Sequence, residues 1–190
     1  NGSMFILNAD GSGLVRLDTQ PGGDFAPAWS PDGASIAFSS LRDPILHIFL
    51  YDLATNKVTR ISPPSSRDSH PDWSPDGSKL VFDTTRSGEM QVWTMNLDSS
   101  SPREFSTAGG SGESMPVWSP DGKQIAYISG SSRPILAVRA FGEAGAQERQ
   151  ISSAQPAWKP SISPDSRLIA YQGLQEDRPA IFIIEMDSGT

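Results

Sequence analysis

Apolar residues in this chain come in runs of three or four, set apart by turn-forming stretches. Phe5-Ile6-Leu7 is closed by Asn8-Ala9-Asp10-Gly11-Ser12-Gly13, and Leu14-Val15-Arg16-Leu17 alternates as a half-buried strand should. A polar loop from Asp18 to Ala26 leads to Pro27-Ala28-Trp29. Ile36-Ala37-Phe38, Ile48-Phe49-Leu50-Tyr51 and Val58-Thr59-Arg60-Ile61 follow. The set returns as Leu80-Val81-Phe82, Val92-Trp93-Thr94-Met95 and Arg103-Glu104-Phe105. It returns again as Ile125-Ala126-Tyr127, Leu136-Ala137-Val138 and Arg149-Gln150-Ile151. Leu168-Ile169-Ala170-Tyr171 and Ile181-Phe182-Ile183-Ile184 come last. No stretch carries an apolar stripe of helical period, so the pattern predicts strands throughout and no helix.

One pentapeptide heads each set. Trp29-Ser30-Pro31-Asp32-Gly33 recurs from Trp73 and from Trp118, and a worn copy, Ile162-Ser163-Pro164-Asp165-Ser166, follows. The heads at 29, 73, 118 and 162 are spaced by 44, 45 and 44 residues. Proline presets φ at the second turn position, Asp bonds nearby backbone amides, and Gly takes the positive φ that reverses the chain. Between apolar runs this is a hairpin turn. From second to third strand the interval is 13 residues each time, as from Ile36 to Phe49 or from Ile125 to Val138. Four short antiparallel strands per repeat of ~40–45 residues make the blade of a β-propeller.

The sequence therefore reads as one all-β domain over 1–190, with full blades at 24–62, 68–106 and 113–152 and partial ones at 1–18 and 157–190. Two arrangements follow. Residues 14–17 could complete the blade begun at Ile162 and close a ring of four. Otherwise the array is an open arc, part of something longer or able to join a second copy through unpaired strand edges. Trp29, Trp73 and Trp118 are expected in the core, and each turn Asp is expected to fix its turn.

The pentapeptide copies, the Ile/Leu-Ala/Val-Phe/Tyr strands after them and the Asn8–Gly13 turn closely resemble the WD40-like PD40 repeat, the blade of TolB-type propellers. The resemblance runs along the whole sequence. It implies a non-catalytic module that presents a loop face to a protein or peptide partner, in the periplasm or outside the cell. The Gly-His opener and Trp-Asp ending of true WD40 repeats are missing, and these residues hold neither six blades nor a separate N-terminal domain of the TolB kind. Similar propellers also gate prolyl-oligopeptidase-type serine peptidases, whose catalytic domain would lie outside these residues. Lyases of the oligogalacturonate type are similar too, but need a His-rich metal site that two His do not supply.

Composition narrows the partners. With 190 residues, a net charge of −7 and a sequence pI near 4.7, the protein has no basic stripe for phosphates or anionic lipid. It has no cysteine, hence no disulfide or thiolate metal site. No apolar run approaches the ~20 residues of a membrane-spanning helix, and no signal-peptide pattern opens the sequence.

The repeat phase also groups charged residues. Five positions before each head stand Asp24, Asp68 and Glu113, then Ala157. The acids are expected to face the channel, where converging oxygens could hold Ca²⁺ or a partner's basic group. The other reading pairs each with an Arg. Arg42, Arg86, Arg133 and Arg178 all fall between second and third strands, each offering a fork for a carboxylate within the blade or on a partner. No other cofactor is expected. His47 and His70 stand apart in sequence, which argues against a metal site. No catalytic signature is present: Gly109-Gly110-Ser111-Gly112-Glu113 comes nearest to a nucleophile elbow but has Glu where the last Gly belongs.

Overall fold

The computed structural model describes residues 2–17, 23–106, 112–143, 145–152 and 156–187. Asp18 and Gly109, Gly110 and Ser111 lie outside them. A two-stranded unit, β1 (Phe5–Ile6) and β2 (Val15–Arg16), comes first. The first complete blade is β3 (Asp24–Trp29), β4 (Ser35–Ser40), β5 (His47–Asp52) and β6 (Lys57–Arg60). The second is β7 (Asp68–Trp73), β8 (Lys79–Thr84), β9 (Gln91–Asn96) and β10 (Arg103–Glu104). The third is β11 (Ser114–Trp118), β12 (Gln124–Ser129), β13 (Ile135–Ala140) and β14 (Arg149–Gln150). A three-stranded blade, β15 (Trp158–Ile162), β16 (Leu168–Gln175) and β17 (Arg178–Glu185), ends the array. All pairings are antiparallel and no helix occurs among the described residues.

The repeated turn works as its residues dictate. In the first copy Ser30 Oγ donates to Asp32 at 2.6 Å, Asp32 accepts the Ala34 amide at 3.0 Å, and Ser30 Oγ accepts the Ser35 amide at 2.9 Å. Copies two to four keep the Ser–Asp bond at 2.6, 2.7 and 2.6 Å. Gly33, Gly77 and Gly122 take φ of 70°, 70° and 75° at the reversal, and Ser166 takes 60° in the worn copy. These bonds stabilise the carboxylate form, so each turn Asp titrates below the usual range, Asp76 at about 2 under Ser74 and Ser78.

The core lies between successive blades. Trp73 packs on Ala37, Ile48 and Ile61 of the preceding blade and donates its indole N–H to the Ala28 carbonyl at 3.1 Å. Trp118 packs in the same way against Val81, Val92 and Phe105. Trp29 breaks the expected pattern, because among the described residues only the two-stranded β1–β2 unit lies ahead of it; it is 54% exposed where Trp73 is 7%. For the same reason Leu14 and Val15 are exposed, and only Leu17 of that run is buried.

Two further expectations change. Phe38, Phe82 and Tyr171 face Phe49, Trp93 and Phe182 across the second and third strands, but Tyr127 faces Ala137 rather than Val138. The third blade's hairpin is thus one residue tighter than the constant interval implied. The closed ring of four is not formed either. β2 pairs with β1, β17 ends its sheet, and Ile181 and Ile183 are 71% and 68% exposed.

Candidate functional site

Each inner strand breaks at one register position. β3, β7, β11 and β15 slip against their partners between Phe25 and Ala28, Ser69 and Asp72, Ser114 and Val117, and Trp158 and Ser161. The cause is a proline in each slip: Pro27, Pro71, Pro116 and Pro160. Proline has no N–H to give the ladder, so a strand accepts it at a bulge. The residue ahead of each proline turns left-handed: Ala26 at 50°, His70 at 47°, Met115 at 52° and Lys159 at 48°. A non-glycine residue there costs of order 1–2 kcal/mol, and such strain persists only where the surroundings enforce it. Four strained residues, one from each inner strand, open on a single groove of about 470 Å³.

The groove floor is apolar, with Phe25, Val117 and the prolines, and carries three polar groups: His70, Asp72 and Lys159. His70 is fixed from two blades directly, and from a third through Asp83. Its backbone N–H donates to Ser39 Oγ at 3.0 Å, and its Nδ1 lies 2.8 Å from Asp83 Oδ2. Asp83 is buried and also accepts the Met115 amide at 2.9 Å and the Ser69 hydroxyl. The ring meets Phe25 edge-on at 6.3 Å between centroids. Asp72 accepts the Trp118 amide at 2.7 Å, and burial pushes its carboxyl above the usual range. His70 therefore does not stand alone: Asp83, thirteen residues on, meets it across the β7–β8 hairpin.

The acids singled out by repeat phase sit one step before the bulge and behave differently. Asp24, Asp68 and Glu113 are buried, and none of them lines this groove. Asp24 pairs with Arg42 at 3.1 Å and Asp68 with Arg86 at 2.7 Å, each inside its own blade. The guanidinium of Arg42 lies 4.3 Å from the Phe49 ring centroid, and that of Arg86 lies 5.0 Å from that of Trp93. In the third blade Ser131 takes that place, and Gly112 comes down on it so closely that an added Cβ would lie 2.8 Å from the serine Cβ. Among the described residues no ion pair joins Glu113 to Arg133, and neither Glu113 carboxylate oxygen has a hydrogen-bond partner. Burial, reinforced by Glu148 and Glu104, pushes Glu113 up to about 7. Ala157 is core, and Arg178 begins β17 on an exposed position. No group of three or more His, Asp or Glu converges to hold a metal ion among the described residues.

An arc of antiparallel four-stranded blades, with bulged inner strands around a shared groove, defines a β-propeller array. The protein belongs to the TolB beta propeller domain family (PD40), which it matches over residues 2–190. The crystal structure of TolB from Acinetobacter baumannii superposes with a TM-score of 0.85 at 21% identity, covering 99% of this chain and 47% of that one. An uncharacterized protein of Agrobacterium fabrum is 32% identical over 99 residues, 52% of this chain and 33% of its own length. A puromycin hydrolase structure gives 0.72 at 12% identity, over 95% of this chain and 30% of the enzyme. These residues thus span less than half the length of the three proteins, and the likeness to the two structures is one of fold.

Proposed function

We propose that this protein is a non-catalytic binding module that takes a protein or peptide segment in the groove between its inner strands. One observation carries the reading: four left-handed residues at matched register, each on a different inner strand, open on the same groove. Convergent polar groups in an apolar cleft are what a binding site needs. The family supports a periplasmic or extracellular setting. The peptidase alternative has fold likeness alone behind it, at 12% identity. Asp24 and Asp68, held by arginines, leave little for Ca²⁺ to bind, so thermal unfolding should not shift between EDTA and millimolar Ca²⁺. A rise in melting temperature with the ion would assign it a site after all.

The groove is tested by selecting binders from a random peptide library and comparing their affinity for the native protein and for Met115→Arg. The variant should lose most binders while keeping a cooperative melting transition, at a lowered temperature because Met115 also packs against the core between the third and last blades. Binders indifferent to Met115→Arg would place the contact elsewhere.

A further inference from the structure

The groove carries a chemical preference, which rests on the binding reading above. Of its three polar groups, Asp72 is withdrawn, since the Trp118 amide holds it and burial disfavours its charge. Lys159 is exposed and brings a full positive charge into an otherwise acidic molecule. His70 is 33% exposed, and with Nδ1 committed to the buried Asp83 its free nitrogen is Nε2. A carboxylate behind an imidazole fixes its tautomer, which leaves Nε2–H as a donor. The left-handed backbone at His70 agrees with a positioned group: Ser39 of the first blade holds its amide and Asp83 of its own blade holds its ring, while Met115 of the third blade holds Asp83. Phe25, Met115 and the prolines supply an apolar bed beside these two donors.

We propose that the groove selects a carboxylate on an apolar body, the carboxylate being shared between Lys159 and His70 Nε2–H. An acidic side group and the free C-terminus of a peptide both carry this chemistry. The protein has two His, and His47 is buried, so His70 can be followed by its imidazole proton resonances and identified by their loss in His70→Asn.

The protein is titrated at neutral pH. The probes are acetyl-phenylalanine, acetyl-aspartyl-phenylalanine amide and the neutral acetyl-asparaginyl-phenylalanine amide. At least one carboxylate probe should shift the His70 signal saturably, and the stronger of the two names the source. The neutral probe should bind about tenfold more weakly, and Lys159→Ala should cause a similar loss, the size of one charged hydrogen bond. Equal binding of the neutral probe, or no effect of Lys159→Ala and His70→Asn, the latter read from line broadening of the probe's own resonances, overturns the carboxylate preference and leaves the groove standing. Failure of all three probes to shift His70 at tens of millimolar overturns both. His70→Asn keeps a residue suited to positive φ, so a folded variant without binding separates loss of the donor from loss of the fold.

Discussion

Trp29 and Trp73 open the same pentapeptide and should respond differently to truncation. Trp73 is buried against the preceding blade and hydrogen-bonded to Ala28, so Trp73→Ala should cost ~3–5 kcal/mol in urea unfolding. Trp29 has only two short strands ahead of it, and Trp29→Ala should cost less than ~1 kcal/mol. Equal losses would mean that Trp29 is covered. Glu113 gives a second test, through pH. Its carboxyl holds its proton up to about 7 in the fold, against an ordinary value near 4.5. The folded state therefore binds this proton more tightly than the unfolded state. Its favourable contribution is complete below the ordinary value and disappears as pH rises to about 7, above which a buried anion must be tolerated. Glu113→Gln keeps the shape without the charge. Relative to the variant, the native protein should lose ~1–3 kcal/mol between pH 5 and pH 8, about 2–4 °C of melting temperature per kcal/mol. A difference that does not change with pH would show that Glu113 finds a partner.

At the scale of the element, two devices recur, and only one was plain in the sequence. The SPDG turn was legible because proline, acid and glycine each announce a backbone state. Gly33 shows this cleanly: nothing lies within 4 Å of an added Cβ, yet φ is 70°. Gly33→Ala should therefore destabilise by roughly 1 kcal/mol through conformation alone, measured by urea denaturation. No loss would mean that the turn relaxes to another type. The bulge was written less openly. Pro27, Pro71, Pro116 and Pro160 stand two before each head, and a proline inside a strand demands a break in the ladder. The residue ahead of it gains access to the groove, which a period of two would not indicate. The Asp83–His70 pair stayed hidden because the slip in register brings together residues that simple strand alternation does not align. The Arg–acid pairs were visible as offsets. Arg42 and Arg86 stand 13 after their heads and pair with Asp24 and Asp68; Arg133 and Arg178 stand 15 and 16 after theirs, out of that phase.

For the whole molecule, the inner strands are held by neighbouring blades while the two ends are not. Phe5, Leu7, Leu14, Val15 and Trp29 are exposed at one end, and Leu168, Ile181 and Ile183 at the other. Open strand edges and apolar patches of this kind recruit further strands. The end surfaces are thus suited to further blades or to a second copy of the protein, and the free protein should self-associate through them. Self-association follows from the central claim that the blades form an open arc around the groove. Absence of native cysteine makes a direct test clean. In the double variant Val15→Cys, Ile183→Cys, the two thiols lie on strands that do not pair within one molecule. After mild oxidation and denaturing, non-reducing mass analysis should find disulfide bonds between molecules, giving species heavier than the 20.4 kDa monomer. A bond formed within the monomer would contradict the account, since it requires β2 to reach β17 and close a ring of four.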